Sequence, residues 1–350
     1  CDDRPFELSC NGSALKLAEK TELAANILTN LGLFKRFATT VLLLGHGSCT
    51  ANNPHGASLD CGACGGQSGE VNVKVLAQLL NDSDIRHALR HRGFEIPPQT
   101  RFIAGLHNTT SDDINCFGAQ TIEPWQQWLA AATERAQAQR AASLGLNPDL
   151  DLPNQYRQRS RDWSQLRPEW GLVNNAAFII APRALTRDLN LQGRSFLNDY
   201  DCNTDPNSSI LELIMTAPMI VTNWINLQYF ASVTDNRTYG SGNKLLHNVV
   251  GDHIGVFEGN GGDLRIGLSM QSLHDGQQWR HTPIRLNVYI AATRAAIEDI
   301  ISKHEAVAQL INNEWLYLFQ LDSETKSISR YYASKWHCVE QNALNEEVTS

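Results

Sequence analysis

Short apolar runs alternate along this chain with segments of helical periodicity. Apolar runs bounded by glycine, proline or polar clusters predict buried strands. Apolar residues that recur three and four positions apart predict amphipathic helices. The predicted strands are 41–44, 102–106, 178–181, 284–291 and 315–321, and the main predicted helices are 13–31, 71–80, 82–91, 123–144, 210–215 and 293–310. This alternation predicts an α/β fold with a mostly parallel sheet flanked by helices.

Changes in composition and hydrophobic pattern along the chain predict four regions. Residues 1–37 are interpreted as a linker and a lead-in helix, and residues 38–190 as a domain built on the first strands. Residues 191–330 are expected to add α+β elements, including a glycine-rich hairpin near 255–263, and residues 331–350 a mobile tail. The chain opens at Cys1 without a methionine, so we interpret it as a piece of a longer polypeptide.

The segment 41–70 carries the strongest chemical signal. An apolar run ends at a Gly-His-Gly sequence centred on His46, and a polar loop with several glycines and Cys49, Cys61 and Cys64 follows. In α/β proteins ligands bind beyond the carboxyl ends of the strands, which is where this loop is expected. His46 together with Cys61 or Cys64 offers the imidazole and thiolate ligands that zinc prefers. A redox pair of Cys61 and Cys64 is the alternative.

Composition and the other motifs argue against several other classes of function. A formal net charge of −8 argues against a nucleic-acid-binding surface. The glycine clusters match neither a Walker A motif nor a dinucleotide fingerprint, and Ser48, His107 and Asp113 make only a weak hydrolase triad because no nucleophile elbow accompanies them. The segment 213–234 has no charged residue over 22 positions, but its proline and amides favour a buried core or a partner-facing surface over a membrane span.

The string GHGSCTANNPHGASLDCGACGGQSGEVN resembles the DabA-type inorganic carbon transporter subunits, and the likeness continues through GLHNTTSDD, DWSQLRPEWGLVNNAAFIIAPR, LELIMTAPMIVTNWINLQYFASVTDN and WRHTPIRL. The resemblance implies a β-carbonic-anhydrase-like core that holds one Zn²⁺. It places the later pair of zinc ligands on His46 and Cys61, with Cys64 a neighbour. The earlier Cys-x-Asp pair is expected upstream of Cys1, so the matching Cys1 and Asp3 are interpreted as a chance match.

The same resemblance implies hydration of CO2 to bicarbonate, coupled to a membrane-embedded, ion-translocating partner of the DabB type, related to proton-pumping dehydrogenase and antiporter subunits. It implies a peripheral position on the cytoplasmic face of the inner membrane, with 213–234 as the candidate contact surface. Two ligands make half a site, so this chain alone is expected to be inactive. Asp60 and the loop after His107 are candidates to orient the ligands. The alternative function is a structural-zinc scaffold that docks to the membrane partner without catalysis.

Overall fold

The computed structural model describes residues 6–50, 67–118, 124–162, 170–240, 267–322 and 325–339. The chain divides into two compact units that meet in the sequence between Gly171 and Leu172. The predicted α/β character is confirmed in both units, whereas the carbonic-anhydrase-like core stays a prediction. The glycine-rich hairpin expected near 255–263 lies outside the described residues.

The first unit is built around a small three-stranded sheet. Its elements are β1 (Ser9–Cys10), β2 (Ser13–Ala14), α1 (Leu17–Asn30), β3 (Thr40–Gly47), α2 (Glu70–Asn81), α3 (Ser83–Arg90), β4 (Arg101–Asn108), β5 (Ile114–Cys116), α4 (Pro124–Leu144) and α5 (Leu152–Arg161). Strands β3 and β4 pair in parallel from Thr40 opposite Arg101 to Gly47 opposite Asn108, and β5 pairs antiparallel to β4. The parallel pair therefore brings two consecutive strand ends to one edge.

Apolar side chains from α1, α2, α3, β3 and β4 form the core of this unit. Leu28, Leu80 and Leu89 are completely buried in it, and each sits at the helical spacing that the sequence predicts. Helix α3 begins at a genuine cap, since the Asp82 carboxylate accepts the backbone N–H groups of Asp84 and Ile85. Helix α5 lies in a segment where no helix is predicted from the sequence.

The second unit contains the larger sheet. Its elements are β6 (Ala177–Ala181), β7 (Ser195–Asp199), α6 (Ser209–Thr216), α7 (Pro218–Thr234), β8 (Leu286–Ile290), α8 (Arg294–Lys303), α9 (Glu305–Asn312), β9 (Leu316–Leu321), β10 (Ile328–Tyr332) and β11 (Lys335–Cys338). The strand order is β11-β10-β9-β8-β6-β7. The four strands from β9 to β7 are parallel, and the two at the other edge are antiparallel.

Two expectations change here. The mostly parallel sheet lies in the second half of the chain, where the sequence analysis expected additional α+β elements. The segment expected to be a mobile tail from residue 331 instead supplies the end of β10 and all of β11, with Tyr331 opposite Trp336. Strands β10 and β11 were not predicted because they mix polar and aromatic residues; β11 is the edge strand and β10 lies next to it. Residues 340–350 lie outside the described part.

Helices α6, α7, α8 and α9 contribute to one core against one face of this sheet. That core includes Leu211, Met219, Ile300 and Ile311 from the helices and the inward-facing residues of β6, β8 and β9. The buried Asp205 caps α6, because its carboxylate accepts the backbone N–H of Leu211 at 3.0 Å. The helix predicted over 210–215 is confirmed, since α6 runs from Ser209 to Thr216.

Helix α7 buries most of its polar side chains and exposes the apolar Trp224. Thr222, Asn223, Asn226, Tyr229 and Ser232 are buried, and Trp224 on the opposite side is 63% exposed. Two of the buried side chains bond within the unit: Asn226 donates to Asn175 Oδ1 at 2.8 Å, and Ser232 Oγ accepts the Leu268 N–H at 2.9 Å. The buried amide of Asn223 has no hydrogen-bond partner among the described residues. An ordinary surface helix has the reverse polarity.

Residues 209–234 are long and apolar enough to cross a membrane, by length and composition alone. About two fifths of the most apolar window is buried inside the unit. The stretch is also two helices, since α6 ends at Thr216 and α7 begins at Pro218. A buried core or a partner-facing surface is expected here, and α7 combines a buried polar side with an exposed Trp224.

Candidate functional site

His46 lies at the carboxyl end of β3, where its side chain is exposed. The strand end is fixed to the start of α2, because the His46 carbonyl oxygen accepts the Gly69 N–H at 2.9 Å. Glycines make this approach possible: a Cβ on Gly45 would lie 2.9 Å from the Gly69 oxygen and 3.1 Å from Val73 Cγ1. The polar loop that follows β3 therefore starts and finishes at one point of the fold.

The end of β4 lies beside the end of β3. His107 is the direct register partner of His46, and the Thr109 N–H donates to the Gly47 carbonyl oxygen at 2.9 Å. A second link runs through Thr110, whose hydroxyl lies 2.9 Å from the Cys49 carbonyl oxygen and 2.8 Å from Asn108 Oδ1. The loops that follow the two strands are thus hydrogen-bonded to each other.

A charged cluster occupies the loop after β4. Asp112 is buried, and its two carboxylate oxygens have separate partners: His107 Nε2 at 3.0 Å and the guanidinium of Arg140. Burial alone would raise the pKa of Asp112, but the hydrogen bond to His107 and the charge of Arg140 outweigh it and lower the pKa below its usual value. Asp112 is therefore an anion that fixes the orientation of the His107 ring.

Helix α4 holds this loop in place along one of its faces. Thr133 donates to the Asp112 carbonyl oxygen at 2.8 Å, and Gln137 donates to the Ser111 carbonyl oxygen at 2.6 Å. Arg140, one turn further on, also donates to the Thr109 carbonyl oxygen at 3.2 Å. The three side chains are spaced four and three residues apart, so they share a face of the helix. They satisfy carbonyls that would otherwise be lost in a tight, buried turn.

The turn itself is an uncommon backbone conformation. Asp112 has φ of +60°, in the left-handed region that non-glycine residues rarely adopt. Aspartate tolerates this region better than most residues, and the contacts from α4 hold it there. A backbone held in such a region by surrounding contacts is typical of functional turns.

A cavity of about 790 Å³ adjoins this turn. Asp113, Asn115 and Glu134 lie along it, together with Thr133 and Gln137, which also hold the turn. Leu129, Leu150 and Leu152 provide apolar wall. The cavity and the turn therefore share two side chains of α4.

Some of the residues predicted for the zinc site lie outside the part of the chain that the structure describes. His46 is described, whereas Cys61, Cys64 and Asp60 lie outside the described residues. Within the described part of the chain, no three His, Cys, Asp or Glu side chains lie close enough together to hold a metal ion. The pairing of His46 with Cys61 stays a prediction.

Two expectations about His107 can be compared with the structure. The loop after His107 lies beside the end of β3, since the Thr109 N–H donates to the Gly47 carbonyl oxygen, and its role in orienting a zinc ligand stays a prediction. The weak triad named Asp113 as the acid, but the carboxylate bonded to His107 belongs to Asp112. Arg140 was missed, since it lies in an Ala/Gln/Arg-rich helix, and only its spacing from Thr133 and Gln137 could have indicated its role.

Comparison with known proteins agrees with the resemblance. The family described as "Probable inorganic carbon transporter subunit DabA" matches residues 3–316. Proteins of that name are 57% identical in Hydrogenovibrio crunogenus and 54% identical in a Marinomonas species, over 334 and 341 residues. A "Probable inorganic carbon transporter subunit DabA2" of Halothiobacillus neapolitanus is 50% identical over 340 residues. No solved structure matches.

The three alignments each cover 95% of this chain but only 40%, 42% and 41% of the respective relatives. The chain therefore spans about two fifths of the length of the curated relatives it matches. The match nevertheless covers nearly all of the chain. The chain belongs to the DabA family of probable inorganic carbon transporter subunits.

Proposed function

We propose that this chain is part of a zinc-dependent subunit that hydrates CO2 to bicarbonate for inorganic carbon uptake. The observation that carries the proposal is the position of His46, exposed at a strand end beside the anchored His107–Asp112–Arg140 cluster. The printed names of the relatives support the role in carbon uptake. The zinc, the hydration and the partner rest on the resemblance and on this geometry.

The residues present fit a zinc site in part. Zinc takes imidazole and thiolate ligands, and the exposed imidazole of His46 stands at the start of the loop that carries Cys61. With the metal bound, zinc would supply the Lewis acidity that activates water for attack on CO2. We use "family-length chain" for a chain as long as the curated relatives. Two ligands do not complete a tetrahedral site, so we expect the rest of the family-length chain to supply the others.

The chain's own residues would do three things in this proposal. The Gly69–His46 hydrogen bond and the β3–β4 register fix the backbone that carries His46. Arg140 keeps Asp112 ionised, and Asp112 in turn orients His107 beside the site. The link between Thr110 and Cys49 ties the loop that leads to Cys61 to the loop after β4. These contacts hold the backbone around the proposed site in one arrangement before the metal binds.

Elemental analysis for zinc tests the proposal directly. The family-length chain is expected to hold one zinc, and His46→Ala or Cys61→Ser to reduce it at least tenfold because each removes a ligand. Cys64→Ser should keep the zinc, as should His87→Ala, which replaces an exposed histidine on α3. Stoichiometric zinc in the 350-residue chain that disappears with Cys64→Ser would contradict this ligand set and favour a local site.

We also propose that the outward side of α7 binds a membrane-embedded, ion-translocating partner subunit of the DabB type. The supporting observation is the inverted polarity of the helix, with Trp224 63% exposed on the side opposite the buried amide of Asn226. An apolar helix face without charge suits an apolar partner surface. The same face would serve the alternative function, a structural-zinc scaffold that docks without catalysis.

Charge placed on this face is expected to break the complex. Trp224→Glu should reduce co-purification of the family-length chain with its membrane partner at least tenfold, because an unpaired carboxylate would be buried in an apolar interface. The matched control Ser302→Glu adds the same charge to an exposed position on α8 and should leave co-purification unchanged. Full recovery of the partner with Trp224→Glu, in a protein that still unfolds cooperatively, would exclude α7 as the contact.

A further inference from the structure

One face of the six-stranded sheet carries no helix from the described part of its own unit. Residues on the strands alternate in direction, and α6 to α9 pack against the side that includes Phe178, Val288 and Leu318. The other side, which we call the open face, carries Ile179, Leu197, Tyr289, Phe319, Leu321 and Ile328. Parallel sheets in α/β proteins are normally covered on both faces.

The topology explains why helices gather on one side. Crossovers between parallel strands are right-handed, so connections that move in opposite directions across a sheet run over opposite faces. The steps from β7 to β8 and from β8 to β9 move the same way and carry α6 to α9. The step from β6 to β7 moves the other way, and it consists of residues 182–194 with a single 3₁₀ turn, Arg183–Leu185. A loop thus stands where a covering helix would be expected.

The open face is mostly apolar and partly accessible, and a charged side chain on it, Arg330 of β10, is paired with Glu314. Leu189 in that connection is 60% exposed, Leu197 is 40% exposed and Tyr332 is 51% exposed. A groove of about 520 Å³ runs over β6, β8 and β9. Its apolar walls come from the leucines of the connection on one side and from Leu321 and Ile328 on the other. Tyr289 and Phe319 stack at a ring distance of 4.8 Å on this face, where burial raises the pKa of Tyr289.

The dimensions suit a helix. Three strand spacings separate β6 from β10, or about 14 Å, and an α-helix with its side chains is about 10 Å across. Thr186, Ser195, Asp322 and Lys326 add polar groups to the apolar lining of the groove. A mostly apolar groove with a few polar groups suits an amphipathic helix that lays one face on the sheet.

We propose that the open face is an internal interface, covered by an amphipathic helix from the part of the family-length chain that this chain does not span. The relatives are about two and a half times as long as the aligned region, so they contain ample sequence to supply one. Docking there would complete the two-sided covering that a parallel sheet requires. The proposal is independent of the zinc site and of the partner contact on α7.

Cysteine labelling tests this assignment. Leu189→Cys and Leu197→Cys are each made in the 350-residue chain and in the family-length chain, and maleimide modification is followed peptide by peptide so that the native cysteines are resolved. Both sites should react at least tenfold more slowly in the family-length chain. Ser302→Cys, exposed on α8, should react equally in both. Native Cys202, which packs against the core, should stay slow in both and thereby report that the unit is folded.

Three results would overturn the proposal. Equal rates at Leu189→Cys and Leu197→Cys in the two chains would mean that no internal segment covers the face. Protection that grows with the concentration of the 350-residue chain would assign the face to a second copy, and protection only on adding the membrane partner would assign it to that subunit. Hydrogen exchange of residues 185–191 in both unmodified chains gives the same comparison without a substitution. Zinc content is unaffected by any of these outcomes.

Discussion

Replacing Arg140 by methionine is expected to destabilise the first unit by about 3 kcal/mol, because a buried carboxylate then loses its cationic partner. Asp112 is buried, Arg140 contacts one of its oxygens, and His107 alone would remain on the other. Methionine keeps most of the apolar stem, so the loss reports on the charge. Urea unfolding, monitored by hydrogen exchange of the β4 peptides, measures the free energy of unfolding.

The matched variants separate charge from packing. Arg140→Lys keeps the charge and should recover part of the stability, although it loses the fork that also reaches the Thr109 carbonyl oxygen. The double variant Arg140→Met with Asp112→Asn should be more stable than Arg140→Met alone, since it removes the orphaned charge. An Arg140→Met protein as stable as the wild type would show that solvent, not Arg140, keeps Asp112 ionised.

The second unit is expected to lose up to about 3 kcal/mol of stability as the pH falls from 6.5 to 4, through the buried His281. Burial, reinforced by the charge of Arg194, lowers the pKa of His281 from 6.5 to about 4. Above pH 6.5 the imidazole is neutral in both states and the contribution is complete. Between the two values only the unfolded chain binds the proton, so stability falls. Amide exchange of β8 across this pH range measures the change.

Variants of His281 test that assignment. The Nδ1 atom of His281 accepts the Asn174 N–H at 2.8 Å, and the ring lies against Tyr229 with the centroids 5.1 Å apart. His281→Asn keeps an acceptor and removes the titration, so it should flatten the dependence between pH 6.5 and 4. His87→Asn, at an exposed histidine of the other unit, should leave the β8 profile as it is. A profile unchanged by His281→Asn would place the titration on another group.

The strands that could be predicted from the sequence are those that pack into a core and are therefore apolar. Residues 41–44, 102–106 and 178–181 are uninterrupted apolar runs, and each lies within a strand of the structure. Strand β7 was not predicted, since Ser195–Asp199 lies at the edge of its sheet and only two of its five residues are apolar. Hydrophobic periodicity detects contact with a core, and edge strands have little of it.

The site could be predicted only where a single segment determines it. The Gly-His-Gly sequence at the end of β3 marked His46 because a strand and its following loop are adjacent in the chain. The role of Arg140 depends on α4 packing over a turn some 28 residues earlier, and no local pattern encodes that contact. The α7 segment was flagged by its lack of charge, but its inverted polarity depends on which side the fold buries.

The hydrogen bond between Gly69 and His46 also bears on how this family can change in evolution. It closes residues 46–69 into a ring, and β3 and α2 hold the point of closure in place whatever residues lie between them. The entropy cost of a closed ring grows only with the logarithm of its length, so a few added or deleted residues in the ring cost well under about 1 kcal/mol. The length of this segment can therefore change around the proposed ligand Cys61 while the sheet and helix that frame it stay unaltered.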